Sequence, residues 1–456
     1  MLKKIGNEIN TDGAVTRIET AGFPVPFEST LEFNAPAHGV WNIVHTGMLI
    51  PESHQIYICS PNCMRGVVLT AAEMNALDRF SQVLIEEKDV LNGNVEQLTI
   101  DGVSDCLNKL QELPRAALIF TVCVHHFLGC DLDYIYRELE RRFPAVTFVR
   151  CFMDPIMRKS GLTPDQKMRK SLYEPIQPLP VKPKTAAILG SDFALDEDSD
   201  LSVLLRRHGW KLKELPRCST YEEYLSIGKS ALFISCYPAA RAGAEELAER
   251  LGRPHIYLPL TFSMDEIREN ERKICRAIGL PAREQENKEQ NCLRVLTSLR
   301  SQLNNTEIAI DYTFHPRPLG LARLLLDAGF NVTKIFLDVI SPEENADLEY
   351  LKHNYPELLL CATVNPKCRL LHEADERSLP PHEQTLRTDC RTLALGQKAA
   401  WFTGNRHFAN IVEGAGWYGF NGIEKLAAAM EEAFKTEKEP RDLITAKGLG
   451  CESCIL

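Results

Sequence analysis

The sequence predicts an α/β protein of three Rossmann-like domains, each a mostly parallel sheet flanked by helices. Three observations predict it. Short apolar runs suited to buried strands alternate with longer amphipathic stretches suited to helices, the pattern of a parallel layer. The alternation restarts after Pro175–Lys184, which holds four prolines in ten residues, and again after the charged connector Arg283–Gln290. At 456 residues the chain has room for several cores.

Residues 1–32, punctuated by Gly13, Gly22, Pro24 and Pro26, read as an irregular lead-in. Val40–Gly47 reads as an apolar helix or a buried turn. Gln55–Ile58 is a strand running into Cys59, and Pro61 with Gly66 is expected to set a turn around Cys63. A helix at Ala71–Arg79, the apolar run Phe80–Ile85 and an amphipathic helix near 94–112 follow. Ala116–Val122 is a buried strand, 131–143 a helix, and Ala145–Cys151 the strand that closes the first domain, 1–174.

The prolines of 175–184 fix φ and withhold N–H groups, so this segment is expected to be a stiff linker. The second domain, 185–282, has strands at Thr185–Gly190, Trp210–Leu215, Ala231–Cys236 and Pro254–Leu260. Its helices are Ser199–His208, a long stretch ending at Gly252, and Met264–Ile278. The third, 283–440, has strands at Glu307–Tyr312, Val332–Leu337, Leu358–Ala362 and Lys398–Thr403. Its helices are Leu319–Ala328, Pro342–His353 and Ile423–Phe434, and residues 441–456 form a tail.

Hydrophobic residues make up 44% of the chain and charged ones 25%, the profile of an ordinary soluble protein. A net charge of -10 argues against a nucleic acid or an anionic membrane as partner. No run approaches the ~18 apolar residues of a membrane span. The basic start lacks an apolar core of the secretory kind, so a cytoplasmic protein is expected. Fifteen cysteines cannot all pair within one chain, and a disulfide framework is not expected without export. Metal ligation or plain burial remains for them.

Cys59 and Cys63 follow one strand, and Cys123 follows another. Thiolates at the ends of neighbouring strands can converge on a soft metal centre, and iron–sulfur clusters are held in this way. The competing reading is three buried structural cysteines. His125 and His126 suit either proton supply or the lining of a helix start. Cys361 and Cys368 read as structural, and Cys451 with Cys454 as part of a mobile tail. Arg150, Arg158, Lys159, Lys167, Arg169 and Lys170 form a basic patch, suited to an anionic ligand or to a solvated face. No Gly-x-x-x-x-Gly-Lys-Ser/Thr loop is present, so ATP hydrolysis is expected of a partner.

These residues resemble component 1 of nitrogenase and its relatives, a family that includes catalytic subunits, cofactor-assembly scaffolds and tetrapyrrole reductases. Ser60–Cys63 stands where the family's glycine-rich turn ends in a cluster cysteine, some twenty residues after His38-Gly39-Val40-Trp41. The family's first cluster cysteine has no counterpart at Glu32–Ala35, and Cys59 is placed to substitute for it. Cys123 to Asp131 is similar to the family's Cys-Pro-x-x-x-x-Gly-Asp, with Val124 in place of proline. Cys236-Tyr237, before a helix ending in Gly252-Arg-Pro254, is similar to the cysteine that anchors the large cofactor of dinitrogenase; a core cysteine at a strand end is the rival reading. His407 is the imidazole nearest the Gly416-Trp-Tyr-Gly419 turn, where the family's second cofactor ligand stands.

The resemblance implies three domains around a central cofactor cleft. It also implies an iron–sulfur cluster, 4Fe-4S or P-cluster-like, on Cys59, Cys63 and Cys123, and a second, larger iron–sulfur cofactor at Cys236 and His407. The implied partners are an ATP-dependent iron protein and a β-like subunit or a second copy, in a heterotetramer or homodimer. The implied activity is reduction of a small molecule. An assembly scaffold carrying a precursor cluster, and a metal-free small-molecule binding protein, are the alternatives.

Overall fold

The structure, a computed structural model, describes residues 11–30, 43–153, 161–281, 286–370 and 392–439, with isolated positions outside these ranges. The strands begin with β1 (Val15–Arg17), β2 (Ser53–Cys59), β3 (Phe80–Leu84), β4 (Ala116–Val122) and β5 (Thr147–Met153). Next come β6 (Lys182–Leu189), β7 (Lys211–Glu214), β8 (Ser230–Ser235) and β9 (His255–Tyr257). Then follow β10 (Glu307–Asp311), β11 (Asn331–Phe336), β12 (Leu359–Cys361), β13 (Thr392–Leu395) and β14 (Phe408–Ala409), with two short strands, Ala446–Lys447 and Cys451–Glu452, beyond them. Three α/β sheets result, as expected, but they sort into two compact units.

One unit, built mainly from residues 41–194 and 204–259, holds two four-stranded sheets ordered β3-β2-β4-β5 and β7-β6-β8-β9. Every pairing in both is parallel. Tyr57 of β2 lies opposite Phe120 of β4, and their rings stack with centroids 4.1 Å apart. Such a pair contributes about 0.5–1.5 kcal/mol beyond its buried area and resists slippage of the two strands. The helix Leu132–Arg142 shows how the flanking layer forms. Asp131 accepts the Tyr134 N–H at its start, and Ile135, Tyr136 and Leu139 give one buried face.

One core runs through both sheets of this unit, containing Ile56, Leu118 and Phe120 of the first and Ala187, Leu189 and Phe233 of the second. The proline-rich segment and the residues leading into it pack within this unit. Arg250 donates to the carbonyls of Tyr173 (2.7 Å) and Ile176 (2.6 Å), and the Tyr224 hydroxyl donates to that of Leu172 (2.6 Å). β6 starts inside the segment at Lys182, and its register with β8 breaks between Lys182 and Ala186, around Pro183. A proline that cannot donate to the ladder is tolerated at such an irregularity.

The other unit combines residues 1–40, 195–203 and 260–451. Its sheet runs β1-β12-β11-β10-β13-β14, parallel except for β1, which pairs antiparallel with β12 at Val15↔Cys361. The carboxyl end of β10 is organised by Asp311, which is fully buried. It accepts the N–H groups of Thr313 (2.7 Å), Phe314 (3.2 Å) and Ala399 (2.5 Å) and the Thr313 hydroxyl (2.5 Å). Gly396 allows this closeness: at φ +110° it has no Cβ, which would fall 2.2 Å from the Asp311 carboxylate.

Several expectations are corrected. The lead-in contributes an edge strand, β1. Pro61 opens a helix, Pro61–Glu73, instead of a turn, because proline's fixed φ and missing N–H suit a helix's first position. Lys398–Thr403 is a helix, Gln397–Thr403, and the strand of that region is β13. An apolar run buried on all sides does not reveal its period, so periodicity alone does not separate the two. His407 directly precedes β14. A helix, Glu286–Leu303, occupies most of the charged connector, while residues 282–285 lie outside the described set. Among the described residues no helix is long and apolar enough to cross a membrane.

Glu344 gives this unit a pH signature. Its carboxylate accepts the Leu319 (2.7 Å) and Gly320 (3.2 Å) N–H groups in the first turn of the helix Pro318–Asp327, yet burial pushes the carboxyl up to about 8. A raised folded-state value means the proton is held more tightly in the folded chain. The stabilisation is complete below the ordinary carboxyl range and is lost as pH rises through about 8. Urea denaturation between pH 5 and 8.5 should show this loss, at most about 1.4 kcal/mol per pH unit. Glu344→Gln should flatten the profile, and an unchanged profile in that variant would refute the assignment.

Candidate functional site

In the first sheet, parallel pairing brings the carboxyl ends of β2 and β4 to the same edge. Cys59 ends β2, and Cys123 opens the short helix Cys123–Phe127 directly after β4. Cys63 is the third residue of the helix Pro61–Glu73; its N–H bonds the Ser60 carbonyl (3.1 Å), and the Ser60 hydroxyl donates to its sulfur (3.6 Å). The three thiols grade from buried to open. Cys59 is fully buried with its sulfur 3.8 Å from that of Met64, Cys123 is half-buried, and Cys63 is exposed.

Burial pushes the Cys59 thiol up to about 12, and the neighbouring Cys63 and Cys123 sulfurs push it further in the same direction. Cys59 thus senses the other two sulfurs. Among the described residues no three His, Cys, Asp or Glu side chains crowd into the donor set of one ion. A single ion draws its thiolates to within ~2.3 Å of one point, whereas a cluster hands each thiolate a different iron. Three soft donors at one sheet edge are of the ligand type that holds such a cluster. Because Cys59 is protonated at neutral pH, loading would release its proton.

His125 holds the turn that carries Cys123. It is 2% exposed, and both ring nitrogens are engaged: Nδ1 accepts the Val122 N–H (3.3 Å) and Nε2 meets the Thr99 hydroxyl (3.0 Å). Burial lowers its value to about 4, so it is neutral at physiological pH and does not serve as a proton donor there. Its neighbour His126 is exposed. The segments at this edge carry exposed apolar side chains: Phe127 (70%) and Leu128 (45%) soon after Cys123, Leu84 (41%) as the last residue of β3 opposite Cys59, and Leu91 (78%) at the end of the helix Glu87–Leu91. Exposed apolar surface is a feature of interaction sites. A cleft of about 1030 Å³ lined by Ser53, His54, Arg79 and Arg115 lies at the opposite, amino-terminal edge, away from the thiols.

In the second sheet, Cys236 follows the carboxyl end of β8 and is 1% exposed; burial, then Glu214, pushes its thiol far above the ordinary range. Arg169 lies over the Tyr237 ring at 4.5 Å, donates to the Gly190 carbonyl at the end of β6 (2.5 Å), and forms ion pairs with Asp192 and Asp165, both at 3.0 Å. Gly190, at φ +75°, admits Ala240 where a Cβ would fall 2.2 Å from that residue's own. Sequence reasoning missed this Arg169–Asp192 clamp by grouping Arg169 with a basic patch. Among the described residues of that patch, Arg150 pairs with Asp133, Lys170 with Glu246, and Lys167 lies over Phe152. Arg158 and Lys159 lie outside the described residues.

His407 sits at the amino end of β14, the edge opposite the one where ligands bind in parallel sheets, with Nδ1 3.1 Å from the Ala433 carbonyl. Cys361 and Cys368 are buried. Cys454, His38, Gly39, Val40 and Trp41 lie outside the described residues, and Cys451 is in a short strand, Cys451–Glu452. These burials predict an order of reactivity in iron-free protein. Alkylation under native conditions should modify Cys63 first and Cys123 next, with Cys59 and Cys236 slower than Cys63 by on the order of 100-fold. Peptide mapping that found Cys59 as reactive as Cys63 would contradict the arrangement.

The family model for nitrogenase component 1 type oxidoreductases matches residues 63–378. A solved structure titled nitrogenase Cp1 at pH 6.5 is similar with a TM-score of 0.63 and 12% identity, covering 90% of this chain and 94% of that one. Another, nitrogenase Cp1 at pH 5, gives a TM-score of 0.56 and 13% identity, covering 92% and 93%. At such identities the likeness is one of fold. No curated protein sequence matches the chain. With more than two thirds of its length matched by the family model, the chain belongs to the nitrogenase component 1 type oxidoreductases.

Proposed function

We propose that the protein is an iron–sulfur subunit of a nitrogenase-like oxidoreductase, taking electrons from a separate ATP-dependent iron protein in the cytoplasm. The observation that carries this reading is the set of three thiols, Cys59, Cys63 and Cys123, at the carboxyl edge of β2 and β4. A bound cluster supplies one-electron transfer there. The chain's own residues supply the donors, the buried Cys59 side that excludes water, and the open Cys63 side toward a partner.

Three protein thiolates leave one iron of a 4Fe-4S cubane without a ligand. A second subunit, either a β-like homologue or another copy of this chain, would provide it, in a homodimer or a heterotetramer. The apolar side chains Phe127, Leu128, Leu84 and Leu91 support docking at this edge, since apolar surface there is otherwise left in water. The absence of a phosphate-binding loop motif from the sequence supports a separate ATPase.

A second reading is an assembly scaffold that carries a precursor cluster. One placement favours it over a substrate-reducing subunit with a large cofactor: His407 stands at the amino-terminal edge of its sheet, away from the carboxyl ends of parallel strands where ligands bind.

Anaerobic purification followed by iron analysis and electron paramagnetic resonance tests the cluster. Wild type should contain iron, Cys59→Ala and Cys123→Ala should each lose most of it, and Cys236→Ala should keep it. Iron-free wild-type protein would refute the reading. Reductive turnover with an iron protein and MgATP distinguishes the oxidoreductase from the scaffold.

A further inference from the structure

We infer that His125, through Thr99, is a positioning residue that fixes the Cys123 thiol for its metal, doing in this chain what a rigid proline does after the corresponding cysteine in the pattern Cys-Pro-x-x-x-x-Gly-Asp. The inference rests on the cluster reading of Cys59, Cys63 and Cys123.

The hydrogen-bond directions are set by chemistry. The Val122 N–H can only donate, so His125 Nδ1 accepts it and carries no proton. Nε2 therefore bears the hydrogen and donates it to Thr99 Oγ1, and the Thr99 hydroxyl donates onward to the Val95 carbonyl at 2.8 Å. Thr99 is fully buried in the helix Val95–Lys109, so the relay ends on a rigid element. One end of the imidazole thus holds the backbone immediately before Cys123, and the other holds that helix.

The far side of the turn is tied to the same helix. The Cys130 N–H returns to the His125 carbonyl (3.0 Å), and the Asp131 N–H donates to Glu96 (2.6 Å). Cys123 lies between these two attachments. A proline at position 124 would restrict φ in the first helical turn by itself; Val124 does not, and a valine peptide must be restrained from outside. The buried histidine supplies that restraint two residues after the cysteine. Ligands held by such outer contacts keep their orientation and tune the metal they bind.

The test uses the full chain, with His125→Leu, Thr99→Val, and the double variant His125→Leu with Val124→Pro. In anaerobically purified protein, His125→Leu should broaden and shift the paramagnetic resonance of the reduced cluster and speed iron loss to a chelator about tenfold. The added proline should restore much of both, which a merely structural histidine does not predict. In iron-free protein, peptide-mapped alkylation of Cys123 relative to Cys63 should rise several-fold in His125→Leu and in Thr99→Val. Should His125→Leu fail to fold, Thr99→Val, which removes one methyl-sized hydroxyl from a helix, gives the same readings. Unchanged resonance and chelation together with unchanged Cys123 alkylation would overturn the inference. Wild-type protein without iron would overturn the cluster reading instead, and the alkylation ratio would still decide whether His125 positions the thiol.

Discussion

The pairing of β2 with β4 is the constraint on which the site depends. Both strands run the same way, so both carboxyl ends reach one edge, and the Tyr57–Phe120 stack keeps Cys59 level with the start of the Cys123 turn. A one-residue slip would turn every side chain of β2 to the opposite face and separate the sulfurs. Tyr57 is itself pinned: its hydroxyl donates to Gln55 (2.8 Å), whose amide donates to the Val44 carbonyl (2.9 Å). The helix beside the sheet, the strand and the thiol are therefore mechanically one piece.

A second theme recurs in all three sheets. Where a parallel strand ends, its backbone groups lose their ladder partners and must be satisfied by something else. Here buried polar side chains do this. His125 accepts the N–H at the end of β4, Arg169 donates to the carbonyl after β6, and Asp311 collects two N–H groups after β10 and that of Ala399 after β13. Each polar side chain is nearly or fully buried, so loss of one would strand an unpaired donor or acceptor at a cost of roughly 1–3 kcal/mol or more. The same contacts hold the turns still: in the first sheet that turn bears Cys123, and in the second Arg169 also lies over the ring of Tyr237, which follows Cys236 after β8.

Most strands were legible because their apolar runs are short, rich in β-branched or aromatic residues and bounded by turn residues; Ala116–Val122 matches β4 to the residue. Lys398–Thr403 was misread because a buried helix of seven residues has no polar face to betray its period. What the proline-rich segment packs against was not legible, because composition reports stiffness and not contacts. At the site, the candidate thiols could be named from spacing and resemblance. The clamp residues Thr99, Asp192 and Arg169 could not, since each lies at least twenty residues from its partner.

By itself the sequence determined the residue types and their local order: which runs would be strands, which sulfurs would stand at strand ends, and that no phosphate-binding loop accompanies them. Those properties depend on near neighbours, and the chain carries them in plain text. Only the tertiary structure decided which sulfur is buried and which is open, that Arg169 and His125 face inward, and that two sheets share one core. Burial and pairing are set by segments far apart in the chain, and their free energies arise only when water leaves the space between them.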